Sequence, residues 1–173
     1  MRPFVLLAAA CALFGLTGCG YHALGNATHL PPSVRTLAIP VFADHTDSYH
    51  TETVMTDAVI REFATRTSFR VTPDDSADPD ATLHGTILAV VESPLTYNAS
   101  TQEASSFLLT VVVAVKLTGR DGNILYQNNN YTYREQFQST DDLPTFLRED
   151  PAAVQRLSRN FAHQLVSDVL EGF

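Results

Sequence analysis

The chain has 173 residues, with 19 acidic against 11 basic side chains and a formal net charge of −8 at neutral pH. This length is typical of one domain that buries roughly two thirds of its unfolded surface. The acidic balance argues against nucleic acid binding, and against electrostatic adhesion to anionic lipid, as the main activity, because both need a basic surface.

The N-terminal segment has the pattern of a secretory signal peptide. Arg2 precedes an apolar run at residues 4–16, which is too short to span a bilayer as a stable helix. The run ends in Leu-Thr-Gly-Cys, and this tetrapeptide resembles the bacterial lipobox, whose cysteine is acylated and becomes the first residue of the mature chain. We therefore expect residues 1–18 to be removed and lipid to be attached to Cys19.

The cysteines and the residues after the lipobox agree with a lipid anchor. Cys11 lies in the segment to be removed, so the mature chain keeps only Cys19 and forms no internal disulfide. Gly20, rather than aspartate, follows Cys19, and by the sorting rule of enteric bacteria this favours the outer membrane. Residues 19–33 have no apolar periodicity and are predicted to be the lipidated N-terminus and a tether.

A single domain is predicted at residues 34–173, and its first half alternates strand and helix patterns. Residues 36–42 have a strand pattern that contains Pro40, which predicts an edge position or a strand end. Apolar side chains at spacings of three and four predict an amphipathic helix over residues 51–66. Residues 69–71 predict a short extended piece.

The second half has the pattern of three long strands. Apolar and polar residues alternate at residues 83–91 and again at residues 107–117, so each strand needs one buried face. A hairpin turn pattern at residues 119–122 leads into a third strand at residues 124–137, which is rich in tyrosine. These three strands are predicted to form an antiparallel meander.

The chain closes with a second helix pattern. Asp150 is a candidate N-cap, Pro151 suits the first helical position, and amphipathic spacing continues until Gly172. The predicted order is β-α-β-β-β-α, which indicates an α+β fold. Two helices would pack on one face of a roughly four-stranded mixed or antiparallel sheet.

Four segments carry a resemblance to a known family. They are the lipobox with residues 18–22, the strand pattern at residues 37–42, the helix end at residues 62–63, and residues 81–87. Together they resemble the LptE family, the lipopolysaccharide-assembly lipoproteins of the outer membrane. The resemblance implies a periplasm-facing protein without cofactor, apart from its covalent lipid, that lodges in the barrel of a partner, LptD. There it would plug the lumen and assist delivery of lipopolysaccharide to the outer leaflet.

The candidate contact residues lie in polar segments and on predicted surfaces. A predicted loop at residues 92–106 is longer than a minimal hairpin, and loops of this length are often functional. Its Tyr97 and Asn98 are candidate contacts with the partner or with glycolipid, although the loop has no basic side chain for phosphates. Arg134 and Arg148 are the basic candidates. For all four residues the alternative is an ordinary solvated position.

The sequence has no pattern typical of an enzyme. Fingerprints of serine hydrolases, zinc proteases and nucleotide-binding loops are missing, and the mature chain offers no thiol nucleophile. Histidines and carboxylates at residues 44–50 share one loop without fixed spacing, which favours a solvated loop over a metal site. Two function classes stay open. One is an accessory of lipopolysaccharide assembly, and the other is an outer-membrane lipoprotein that regulates a cell-wall synthesis enzyme or another export assembly.

Overall fold

The computed structural model describes residues 29–46, 51–74, 78–97, 99, 104–138 and 151–172. These ranges contain six strands and two helices. The strands are β1 (Thr36–Ala38), β2 (Ala43–Asp44), β3 (Arg70–Thr72), β4 (Ala81–Tyr97), β5 (Ala104–Gly119) and β6 (Ile124–Gln138), and the helices are α1 (Thr51–Arg66) and α2 (Pro151–Glu171). None of the helices in these ranges has the length and apolar character needed to cross a membrane.

The six strands form one mixed sheet in the order β3-β1-β4-β5-β6, with β2 paired to β4. The first contacts, β3 with β1 and β1 with β4, are parallel, whereas β4, β5 and β6 form the antiparallel meander that the alternation predicted. The α+β class is confirmed. The prediction of about four strands in the order β-α-β-β-β-α is wrong, because the described chain runs β-β-α-β-β-β-β-α.

The two additional strands arise from segments that the sequence patterns predict as one strand and as a short extended piece. The strand pattern at residues 36–42 divides into β1 and β2 because Pro40, which has no N–H to donate to a ladder, lies between them. β1 is flanked by β3 and β4, so Pro40 follows a strand end and does not lie on a sheet edge. The short piece predicted at residues 69–71 becomes β3, whose register pairs Val71 with Leu37.

The hydrophobic core lies between the helices and one face of the sheet. Alternate residues of the meander are buried, and α1 and α2 add their apolar stripes to the same cluster. The largest side chains that are fully buried in this core are Phe42, Phe63, Phe161, Leu37, Ile39, Met55, Leu83, Ile87, Leu109, Leu117 and Leu165. The helices cover only this face, so the side chains on the opposite face of the meander stay exposed or half-buried.

Gly85 lets the ring of Phe42 lie directly against β4. A Cβ atom at Gly85 would lie 2.6 Å from Cδ2 of Phe42, closer than real Cβ atoms come to other heavy atoms. We predict that Gly85→Ala lowers the free energy of unfolding by about 1–3 kcal/mol, because the buried ring must shift within a packed core. Urea denaturation measures this change. Thr86→Val, on the opposite face, should cost less than about 0.5 kcal/mol, and equal losses would contradict the prediction.

Asp80 joins the start of β1 to the start of β4 and to the turn between β5 and β6. Its Oδ2 accepts hydrogen bonds of 2.9 Å from the backbone N–H groups of Arg35 and Thr36 and from the Thr36 hydroxyl. Its Oδ1 lies 3.1 Å from Nη2 of Arg120. The Arg35 N–H, followed by the Thr36 groups and more weakly by the Arg120 charge, lowers the pKa of Asp80 to about 2.

This pKa predicts a specific sensitivity to acid. The folded pKa of about 2 lies below the ordinary value of 3.8. The carboxylate therefore contributes stability that is fully present above about pH 4 and is lost as the pH falls towards 2. We predict that Asp80→Asn lowers the free energy of unfolding at neutral pH and flattens its fall between about pH 4 and pH 2. Urea denaturation at stepped pH values tests this. Asp57→Asn, exposed on α1, is the control, and wild-type slopes in Asp80→Asn would contradict the prediction.

Candidate functional site

The structure describes two of the predicted site residues. Tyr97 is the last residue of β4 and is 63% exposed, and Arg134 is exposed on β6. Tyr97 pairs with Ala104, whereas Arg134 pairs with Thr110, six residues further along β5, so the two sites are about 20 Å apart along the strand. The structure does not bring them together. The remaining candidates, Cys19, Asn98 and Arg148, lie outside the described residues.

The predicted loop at residues 92–106 is wrong over most of its length. β4 continues to Tyr97 and β5 begins at Ala104, so the hairpin ladder extends well beyond Pro94. Register shifts between Pro94 and Thr96, and between Thr96 and Tyr97, accommodate the proline without ending the pairing. The hydroxyls of Thr96 and Ser106 lie 2.6 Å apart across these strands. The connection therefore comprises only residues 98–103.

The outer half of β4 carries an exposed apolar group. Six large hydrophobic side chains are exposed in the described part of the chain, and four of them lie there: Leu88, Val91, Leu95 and Tyr97. β1 and β2 pair with β4 only up to Ile87, so the outer half is paired on the β5 side alone. Pro94 and the nearby bulges hinder pairing with a strand of another chain. A partner would thus contact this half through its side chains.

The face of the meander that points away from the helices is open, and we name it the open face. Its residues alternate with the core residues of β4 and β5 and continue on β6. They include Thr82, His84, Thr86, Ala89, Val91 and Ser93 on β4, Leu108, Thr110, Val112, Ala114, Lys116 and Thr118 on β5, and Gln127, Thr132, Arg134 and Gln136 on β6. All of them are exposed or half-buried, and five are threonines.

The charged residues of the open face, Lys116 and Arg134, are both cations. His84 and Lys116 are direct cross-strand partners, and Arg134 lies opposite Thr110. The open face contains no carboxylate, although acidic residues outnumber basic ones in the chain as a whole. Within the described ranges, none of these three side chains is held in a salt bridge. The face therefore presents threonine hydroxyls and cations to whatever lies against it.

In the helix layer, by contrast, charged side chains of α1 contact each other and polar groups of α2. Oε1 of Glu62 lies 3.7 Å from Nη1 of Arg66 and 3.0 Å from Nδ1 of His163. Arg66 also donates a hydrogen bond of 2.6 Å to the Ser167 hydroxyl. These contacts link α1 to α2, so the polar side chains involved bind one another across the two helices.

Neither a metal centre nor a ligand pocket emerges from the described residues. No group of three or more histidine, cysteine, aspartate or glutamate side chains within them is placed to hold a metal ion. A cavity of about 490 Å³ lies beside the turn between β5 and β6, where Asp80 and Arg120 line its wall. These two charged groups already bind each other. The cavity therefore offers no unengaged charge pair to a ligand.

Solved structures with a similar fold come from several bacteria. Uncharacterized lipoprotein B from Nitrosomonas europaea is 14% identical, with 87% of this chain and 90% of that chain covered and a TM-score of 0.52. Protein XCC0632 from Xanthomonas campestris is 16% identical, with 86% and 91% covered and a TM-score of 0.53. The hypothetical protein CT253 from Chlamydia trachomatis is 9% identical, with 80% and 96% covered and a TM-score of 0.52. At these identities the likeness shows the fold alone. A comparison with curated proteins gives no significant match.

A family model provides the assignment that the fold alone does not. The LptE model, described as lipopolysaccharide-assembly, matches residues 34–169. The match begins just before β1, includes the whole sheet and reaches into the last turn of α2. It covers most of the chain and confirms the resemblance seen in the sequence. The chain therefore belongs to the LptE family of lipopolysaccharide-assembly proteins.

Proposed function

We propose that the protein is an outer-membrane lipoprotein that binds an LptD-like barrel, plugs its lumen and assists the transport of lipopolysaccharide to the outer leaflet. The observation that carries this proposal is the family match over residues 34–169. The family consists of non-enzymatic, cofactor-free assembly lipoproteins. The protein would therefore act by binding and not by catalysis.

The dimensions of the meander suit a plug. β4, β5 and β6 have 17, 16 and 15 residues. A strand of 15 residues is about 50 Å long, twice the height of the roughly 25 Å apolar band of an outer-membrane barrel. A body of this length reaches through the whole height of a lumen.

The surface of the meander also suits a polar lumen. The interior of a transmembrane barrel is lined by polar side chains. The threonines of the open face offer hydroxyl groups that both donate and accept hydrogen bonds. Their branched side chains are stiff at χ1, so they lose little conformational freedom when a wall covers them.

The lipid on Cys19 would hold this body beside its partner. About ten residues separate Cys19 from His29, where the described chain begins, and this length reaches at most about 35 Å. A tether of this reach confines the domain to the membrane surface and raises its effective concentration next to a barrel in the same membrane. The two or three acyl chains of a lipoprotein suffice for stable attachment.

Depletion of the protein in its own bacterium tests the proposal against the second function class. Two quantities are measured over time, the newly made lipopolysaccharide at the cell surface and the incorporation of new peptidoglycan. We expect surface lipopolysaccharide to fall first while wall synthesis continues. An early defect in wall synthesis with normal surface lipopolysaccharide would favour the regulator of a wall enzyme and overturn the proposal.

A further inference from the structure

We propose that the part of the barrel partner's lumen wall that lies against the open face presents carboxylates opposite Lys116 and Arg134. The inference rests on the proposed function, because it takes the barrel as the partner. It goes beyond that function by naming the chemistry that the wall must have opposite one face of the domain.

The open face is positively charged although the chain as a whole is acidic. The chain has a net charge of −8, yet the open face carries the cations Lys116 and Arg134 and no carboxylate. Opposed charges across an interface orient the two partners and disfavour wrong ones. An acidic partner surface complements this face, whereas α1, on the other side of the sheet, exposes the acidic Asp57.

The spacing of the cations favours a protein surface over a glycolipid. Lys116 and the partner residue of Arg134, Thr110, are six residues apart on β5, so the backbone positions of the two cations are about 20 Å apart along the strands. One phosphate group cannot contact both cations over this distance, so a glycolipid would need two well-separated phosphates to engage them. Sites for small ligands are concave, and the 490 Å³ cavity described above is lined by residues outside the open face. An extended, flat partner matches the spacing better.

The rigidity and size of the face also fit a protein partner. β5 is paired on both sides, with β4 and with β6, so its side chains are held in a fixed register. Three strands about 4.8 Å apart and some ten residues long present on the order of 500 Å², more than half of the roughly 800 Å² per partner of a standard interface. The exposed Leu88 and Val91 extend an apolar contact towards the end of the hairpin.

Charge reversal in the full-length lipidated protein tests the inference. The open-face variant carries Lys116→Glu with Arg134→Glu. The control variant carries Arg156→Glu with Arg159→Glu, two exposed arginines of α2, and it changes the net charge by the same amount. Each tagged protein is captured from detergent-solubilised membranes, and the copurified barrel is quantified. Circular dichroism and the urea midpoint report folding.

We expect the open-face variant to capture at least tenfold less barrel than the wild type, and the control variant to stay within about twofold, as interfacial charge pairs predict. If the glutamate variant does not fold, Lys116→Gln with Arg134→Gln should still reduce capture by severalfold. Equal capture by the open-face and control variants would overturn the inference while the proposed function stands.

Two further outcomes separate the remaining possibilities. Retention of the barrel together with loss of copurified lipopolysaccharide would overturn the inference in favour of a glycolipid surface. A wild-type protein that captures no barrel at all would overturn the proposed function itself, and the inference with it.

Discussion

Replacing Phe161 with alanine is expected to lower the free energy of unfolding by about 3–5 kcal/mol. Phe161 is fully buried on α2, and its ring meets those of Tyr131 and Tyr133 edge-on at centroid distances of 6.0 and 5.9 Å. The substitution removes these contacts and leaves a cavity where α2 packs on β6. Because domains of this size are stable by only about 5–15 kcal/mol, the loss is a large fraction of the total.

Urea denaturation followed by circular dichroism measures this loss. Phe161→Leu retains most of the volume and should cost less than Phe161→Ala. Arg159→Ala, on the exposed side of the same helix, should stay within about 0.5 kcal/mol of the wild type. A loss below about 1 kcal/mol for Phe161→Ala would contradict the packing of α2 against β6, since buried Phe→Ala changes cost several times more.

Replacing Cys19 with alanine is expected to abolish lipid attachment and to remove the protein from the outer-membrane fraction. Each methylene of an acyl chain that enters the bilayer contributes about 0.8 kcal/mol, and no other part of the described chain is an apolar helix that could replace the anchor. Growth with labelled palmitate, followed by membrane fractionation, measures both effects.

A matched substitution controls for the loss of a thiol. Cys11→Ala changes the other cysteine, which lies in the segment predicted to be removed, and this variant should incorporate label as the wild type does. Equal labelling of Cys19→Ala and the wild type would show that the lipid is attached elsewhere or not at all.

The strongly periodic elements could be predicted from the sequence. Helix α1 begins at Thr51, the predicted N-cap, and ends at Arg66 as predicted, and α2 ends where Gly172, with a φ of 76°, leaves the helical region. The meander strands could be predicted because one face of each is buried, and this burial imposes a period of two on the sequence.

The features that were missed depend on contacts between distant parts of the chain. β2 and β3 are two and three residues long, and they are strands only because β4 and β1 pair with them. The hairpin beyond Pro94 persists because bulges accommodate the proline, and a bulge has no clear pattern in a single sequence.

The open face could not be predicted from the sequence alone for the same reason, because it depends on how distant strands pair. Arg134 could be singled out as a basic residue, but its position beside Thr110, on the same face as Lys116, follows from the register of β5 and β6. This register includes a shift between Val113 and Val115, which pattern alone does not locate. A signal was nevertheless available, because the outward positions of the predicted strands at residues 83–91 and 107–117 contain no acidic residue.

The most direct test of the proposed function is the identity of the protein that copurifies with the intact lipidated chain. The tagged protein is purified from gently solubilised outer membranes, and its partner is identified by mass spectrometry and by a heat-dependent shift in gel mobility. We expect a heat-modifiable LptD-like barrel as the dominant partner, in equimolar amount. A cell-wall synthesis enzyme as the dominant partner, with no barrel present, would contradict this expectation.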